Sequence, residues 1–428
     1  MADSTLNSVN EHCLDNIMKL AETTKVIASE AIFDTHGTKL WAAGARITPE
    51  LKERLMRHKL RKPLETSLSV EDCVTQATIL AAAERLIEEV PALQVIMANQ
   101  QAAILKVVAE ITLQPVVALL MTVADKSREG ALRHGVLVAL IAVSLGLHRK
   151  RSGSDPALLA LTGLIHDIGL LYVQPDFLFS DRLLKSNEWK HVAAHPLIGQ
   201  IVIGELTDHP RQVMETVATH HERFDGSGYP CQLTGTQISP SAQILAMAET
   251  LSGIVTRQED VLARACLAIK CVPGEHPHDL ISVFSTLKHN YSGDPLPVGV
   301  TTTEHMPKTH QVVQTLALAS AECKSIAKHA PLSPALKDLL QHVELRLAGL
   351  RHALKAAGIE ECLADGHLTS ITQNDYEIFL EIEVIGREIG WRERDIARDL
   401  YLRLGSHPPV AFAIFTKLIE ILDNPANS

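Results

Sequence analysis

His220-His221-Glu222-Arg223-Phe224-Asp225-Gly226-Ser227-Gly228-Tyr229-Pro230 is the stretch that decides how this chain is read. Two adjacent imidazoles are followed by alternating charges and then by a glycine-rich turn. Upstream lie His166-Asp167 and, midway between, His195. Four histidines and an aspartate at these spacings point to ligands converging on a pair of metal ions. Imidazole nitrogens with a bridging carboxylate suit Fe, Mn or Zn far better than Mg or Ca.

The spacing sharpens the reading. His134, His166, His195 and His220 follow one another at intervals of about 25–32 residues, roughly one helix plus a connection. Each ligand group can therefore sit on its own helix and face one bundle core. Glu249 follows the apolar run 244–248 and offers a further inward carboxylate. Two metals bridged by Asp167 would clamp a phosphodiester and activate a water between them.

The pattern resembles the HD-GYP family, a branch of the HD metal-dependent phosphohydrolases. The resemblance is carried by His166-Asp167-Ile168-Gly169, by His195-Pro196 with Trp189 six residues before His195, and by the segment 220–230. Arg133-His134-Gly135 extends it upstream and Ala246-Met247-Ala248-Glu249 downstream, so that it spans roughly residues 105–300. It implies hydrolysis of cyclic di-GMP to linear pGpG or onward to GMP. It also implies that His134, His166, Asp167, His195, His220, His221 and Glu249 ligate two divalent ions, Fe or Mn before Zn or Ni. Asp167 would bridge them, Arg223 and Asp225 would act as catalytic supports, and Gly228-Tyr229-Pro230 would line the substrate or partner surface.

Three positions depart from the family pattern. A lysine that contacts phosphate is replaced by Leu170, which supplies neither charge nor a donor. The last ligand is Glu249, where the family usually has aspartate. Gly130 stands where some members hold a third metal through an acidic side chain, so two metals are expected. Leu170 keeps alive an alternative, a catalytically weak or inactive HD-GYP protein that binds cyclic di-GMP or a signalling partner. A phosphohydrolase acting on another nucleotide is the third reading.

Composition sets the frame. The 428 residues are 46% hydrophobic and 4% aromatic, with a net charge of -10. This fits a soluble, largely helical protein and argues against DNA binding, which requires a basic face. Seven cysteines are scattered without a C-x-x-C pair, as in reduced cytosolic proteins. The start of the chain is polar, and the apolar core of the helix at 136–147 is about 12 residues, short of a bilayer span. A cytoplasmic location with no membrane contact is expected.

The fold expected is mainly α: an HD-type helical bundle, a small N-terminal α/β-hairpin module and an additional C-terminal helical region. Residues 1–69 form the module, with a helix over 7–22, strand-like runs between 25 and 47, a turn at Asp34-Thr35-His36-Gly37, and a helix opened by Thr48-Pro49. Residues 70–104 read as a helical connector and 105–300 as the metal domain. Within it the spacing predicts helices over 157–166, 187–203 and 211–221, the last carrying both His220 and His221. The helical pattern breaks after Val283, and 290–307 reads as a linker. Residues 301–428 return to helices, with no catalytic constellation; they could dimerise, recruit a signalling partner or cover the site.

The plainer readings differ in weight from residue to residue. Taken alone, His134 is an ordinary histidine at a helix start, His148, His191, His209 and His352 are surface residues, and Leu170 packs in the core. Gly226 and Gly228 permit turn geometry, which is compatible with re-aiming Tyr229.

Overall fold

A computed structural model describes residues 6, 8–149, 153–179, 182–256, 261–290, 306–359 and 376–423. The N-terminal elements are α1 (Glu11–Thr23), β1 (Val26–Ala28), β2 (Ile32–Phe33), β3 (Lys39–Trp41), α2 (Pro49–Arg57) and β4 (Leu68–Val70). Asn10 caps α1 by accepting from the Cys13 amide at 3.0 Å. Antiparallel pairing joins β2 to β3 across the Asp34 turn, as the hairpin residues imply. The partner of β1 is β4, over forty residues on in sequence, with Val26 opposite Val70. The last of the strand-like runs expected between 25 and 47, Ala45-Arg46-Ile47, forms no strand but bridges to Ile27 through Arg46, with main-chain hydrogen bonds to Val26 and Ala28.

Helices follow: α3 (Gln76–Glu89), α4 (Ala92–Met97), α5 (Gln101–Ala109), α6 (Pro115–Ser127), α7 (Ala131–His148), α8 (Pro156–Ile165), α9 (Pro175–Leu178), α10 (Ser186–Val192), α11 (His195–Leu206), α12 (Arg211–Ala218), α13 (Pro240–Val255), α14 (Val261–Cys271) and α15 (His278–His289). The chain continues through α16 (Met306–His329), α17 (Pro334–Ala356), α18 (Tyr376–Leu404) and α19 (Pro409–Leu422). Most of the expected linker, 291–305, lies outside the described residues.

Three helices differ from the sequence reading in ways that matter for the site. The helix expected over 187–203 is two helices, because Pro196 lacks an N–H and fits only the first turn of a new helix. His195 therefore opens α11. The helix expected to carry His220 and His221 stops at Ala218, and both histidines lie in the turn beyond it. In the other direction, α15 runs on to His289 past the expected break, because Phe284 is buried and holds its last turns on the core.

The helix expected as a 136–147 core is longer, Ala131–His148, and its apolar surface is long enough to cross a membrane by composition, yet 67% of it is buried inside the protein. A second stretch of that kind, Ala92–Ala109, is broken at Ala98, where φ is 45°. Helix α7 packs between α8 and α13 and forms the centre of an apolar core that runs from Cys13 to Phe284. A second core, centred on Val343, Ile389, Leu400 and Phe415, joins α16 to α19.

Candidate metal centre

The site begins with a close helix crossing. A Cβ on Gly163 of α8 would lie 2.5 Å from Ala139 Cα of α7, and one on Gly135 would lie 2.8 Å from the Leu164 carbonyl. Only because both side chains are absent can α7 and α8 approach this closely. His134, in the first turn of α7, then meets His166, at the end of α8, with Nε2 atoms 3.3 Å apart. Gly169 repeats the device. Any Cβ there would run into the His195 carbonyl and the Gly199 amide, so α11 can seat its first residue beside Asp167.

One local arrangement orients three of the histidines. Nδ1 of His166 lies 2.9 Å from the Gly163 carbonyl, Nδ1 of His195 lies 2.8 Å from the Val192 carbonyl, and Nδ1 of His220 lies 2.6 Å from the Val217 carbonyl. A carbonyl only accepts, so Nδ1 carries a proton in each ring, and in the neutral form of the ring Nε2 is left with its lone pair. Each carbonyl belongs to the last turn of the preceding helix, where main-chain acceptors have no helical partner. The histidine satisfies that acceptor, and the acceptor fixes the tautomer, as in metal-ligating histidines generally. His195 Nε2 and His220 Nε2 face each other at 3.2 Å. Two lone pairs at that distance repel unless a cation lies between them.

Asp167 joins two groups of donors. Its carboxylate stands with His195, His220 and His221 on one side and with His134 and His166 on the other; within each group the donor atoms lie within 4.8 Å of one another. Asp167 Oδ1 is 3.4 Å from His195 Nε2 and 3.5 Å from His166 Nε2. Glu249, on α13, closes the second group, with Oε2 3.2 Å from His134 Nε2 and 3.4 Å from His166 Nε2. Glutamate is long enough to reach both rings from its helix.

The electrostatics of the two halves differ. Burial, with the neighbouring His195 ring second, pushes His221 down to about 3, and burial also holds His220 well below the usual imidazole range. Both rings are therefore neutral, the form that ligates. Burial works to lower His166 as well, but Asp167 and Glu249 outweigh it and push that ring up to about 9. Asp167 is held well below the carboxylate range: burial opposes this, and His166, His195 and Arg128 overcome it. The pocket between Asp167 and Glu249 thus favours positive charge, and its donors fit divalent ions of the imidazole-preferring kind.

The stretch after His221 folds back onto it. The Tyr229 amide donates to the His221 carbonyl at 3.1 Å, and the phenol ring stacks on the His221 ring at 4.7 Å. Gly228 has no room for a Cβ, which would lie 2.5 Å from Glu222 Cα. Pro230 follows through a cis peptide bond. Asp225 accepts from the Ser227 amide at 2.9 Å and shapes its own turn. Arg223 points away from the histidines, to Asp395 at 2.9 Å and Glu275 at 3.5 Å, so its charge is balanced there.

Three residues escaped the sequence reading. Glu222 anchors the loop by accepting from the amides of Cys231, Gln232 and Leu233 at 2.6, 3.1 and 2.9 Å. Arg128 donates to Asp167 Oδ2 at 2.9 Å and is, among the described residues, the one cationic side chain lining two cavities that border Asp167. Leu170 lines the first of these and packs in a small cluster with Val173, Leu184 and Val192. Asp395 is the third. An isolated acid within the quoted stretch hinted at Glu222; Arg128 and Asp395 had no spacing signal at all.

Residues 118–266 match the family model described as HD domain. This segment is an HD domain. The HD domain is similar to that of a 3'3'-cGAMP-specific phosphodiesterase of Vibrio cholerae, 30% identical over 140 residues, covering 32% of this chain and 31% of that protein. A cyclic di-GMP phosphodiesterase of Pseudomonas aeruginosa is 32% identical over 121 residues, covering 28% of this chain and 29% of that protein. A cyclic di-GMP phosphodiesterase response regulator of Xanthomonas campestris is 30% identical over 121 residues, with 28% and 31% covered. The chain thus spans under a third of the length of these relatives. Among solved structures, an HD-GYP-like protein of Bdellovibrio bacteriovorus aligns with a TM-score of 0.33 at 20% identity, over 50% of this chain and 70% of that one.

Proposed function

We propose that the protein is a metal-dependent phosphodiesterase that opens cyclic di-GMP to pGpG and onward to GMP. The observation that carries this reading is the pair of donor groups sharing Asp167, with imidazole tautomers fixed so that lone pairs converge. One ion would be held by Asp167, His195, His220 and His221, and the other by His134, His166, Asp167 and Glu249. Bound divalent ions supply charge neutralisation at the phosphate and water of lowered pKa; Fe or Mn is the first choice, with Zn and Ni also compatible with the donor set.

The chain's own residues do the rest. Asp167 stays ionised and holds the two donor groups at a fixed separation. Arg128, beside it, would take the phosphate charge that Leu170 cannot. The relatives' names support a cyclic dinucleotide as substrate, and one names 3'3'-cGAMP, so both dinucleotides belong in the assay. On this reading 105–300 is the catalytic unit, 1–69 and 70–104 are the N-terminal module and its connector, and 301–428 is the C-terminal region. Leu170, an apolar side chain beside Asp167, is the feature that favours the second reading, a receptor that binds without turnover.

The test is metal analysis of anaerobically purified protein, followed by turnover of cyclic di-GMP and 3'3'-cGAMP with Mn or Fe(II) supplied. About two ions per chain are expected. The double variant His166→Ala, Asp167→Ala should lose both metal and turnover. Hydrolysis that survives it would sink the assignment, and saturable binding without turnover in the wild type would establish the receptor.

A further inference from the structure

Helix α18 carries a stripe of charged residues that its own apolar core does not explain. Arg392, Asp395, Asp399 and Arg403 recur at helical spacing and so share one face. Arg392, Asp395, Arg398 and Asp399 are all buried. Buried charge is costly unless it is paired and hydrogen-bonded. Arg392 is paired with Glu275 and Glu388, and Asp399 with His342, Arg346 and Arg403, while Asp395 reaches Arg223 in the loop that follows His221.

Three connections can be traced. Arg223 Nη1 donates to Asp395 Oδ2 at 2.9 Å, and Arg346 Nη2 of α17 holds the same oxygen at 2.8 Å. Arg403 Nη2 donates to the Gly226 carbonyl at 2.8 Å, while its Nε donates to Asp399 Oδ1 at 2.7 Å. The Arg398 guanidinium lies 4.0 Å above the Trp189 ring. Trp189 meets Tyr229 edge-on at 6.0 Å, and Tyr229 stacks on His221. The loop is thus gripped at Arg223, at Gly226 and behind Tyr229, from one helix in the other apolar core.

We propose that the C-terminal helices form part of the frame of the metal centre, with Asp395 and Arg403 as positioning residues that fix loop 223–230 and, through Tyr229, the orientation of His221. His221 differs from its three neighbours in the group around Asp167. His195 and His220 are oriented by helix-end carbonyls, and Asp167 by Arg128, whereas His221 has the Tyr229 ring laid against it. Loss of the grip would therefore weaken one of the two ions. The turnover arm of the test rests on the phosphodiesterase reading; the metal arm does not.

The experiment uses the full chain as wild type, Asp395→Asn, Arg403→Gln, and a control at the exposed Leu345, Leu345→Ala. Mn(II) stoichiometry and affinity are measured by titration, with thermal unfolding, tryptophan emission (Trp189 and Trp391 flank the contact) and turnover of cyclic di-GMP and 3'3'-cGAMP alongside. Asp395→Asn and Arg403→Gln should each weaken one of the two ions about tenfold, leave the other unchanged, shift the emission and lower kcat. Leu345→Ala should do none of these. If Asp395→Asn fails to fold, Arg403→Gln, which frees a partly exposed side chain, decides alone. Folded variants that bind both ions as the wild type does would overturn the proposal, whatever their turnover. Wild type that binds two ions without hydrolysing cyclic di-GMP or 3'3'-cGAMP would remove the phosphodiesterase reading and leave the titration to decide. Wild type that binds no Mn(II) would overturn both.

Discussion

Replacing Gly163 by alanine adds one methyl group at the point where α7 and α8 cross. The new Cβ would lie 2.5 Å from Ala139 Cα and 2.7 Å from Ala139 N. Both are main-chain atoms, so no side chain can swing aside. Carbon atoms at rest in contact lie about 3.5 Å apart, and relief requires the helices to separate by roughly 1 Å. Overpacking of this kind costs about 1–3 kcal/mol. The chemical consequence should be larger than the thermodynamic one. Metal–ligand distances tolerate only about 0.2 Å, whereas His134 and His166 stand on opposite sides of the widened crossing. Gly163→Ala should therefore lose the ion expected at His134, His166 and Glu249 and keep the one at His195, His220 and His221. Metal analysis should show about one ion per chain in place of two, with turnover lost and the melting temperature lowered by a few degrees. Two ions bound with wild-type affinity in a folded Gly163→Ala protein would refute the reasoning.

Two further outcomes follow from single side chains. Glu393 is fully buried, neither carboxyl oxygen has a hydrogen-bond partner among the described residues, and burial pushes it up to about 9, with Arg394 opposing. The folded protein keeps this carboxyl protonated, so unfolding releases a proton, and stability falls as pH rises from the ordinary carboxyl value to about 9. Glu393→Gln should flatten that slope and be more stable at pH 7 by up to about 3 kcal/mol; denaturant titrations at pH 5 and pH 8 check it, and parallel pH slopes for the two proteins would count against it. Arg128→Gln, which keeps an N–H donor for Asp167 but removes the charge, should leave both ions in place and lower kcat/KM about a hundredfold. Adding Leu170→Lys should restore much of that loss, and a variant with undiminished kcat/KM would show that the cavity charge is idle.

The clustering of the site's side chains was legible in sequence because a shared site draws particular residue types to one place at intervals set by helix length. His134, His166, Asp167, His195, His220, His221 and Glu249 were all named from spacing and resemblance, and the structure brings them together. Their local settings were less legible. Periodicity extends a helix through any suitable residue, so it carried 187–203 across Pro196 and 211–221 beyond Ala218, where capping and satisfied carbonyls end the helix instead. Burial of α7 could be read from its all-round apolar surface, but its full length could not, because its first turn carries Arg133 and His134.

What the sequence by itself determined is the helical class, the glycine-marked loop and which histidines and acids are candidates to share one site, since each follows from residue type, local period and resemblance. Only the tertiary structure decided which charges act together. Nothing in spacing relates Arg128 to Asp167, or Arg223 to Asp395 and Gly226 to Arg403, the last two pairs bridging 172 and 177 residues. Electrostatic pairs of that range depend on how packed helices bring distant surfaces into one low-dielectric region, and that is a property of the assembled cores.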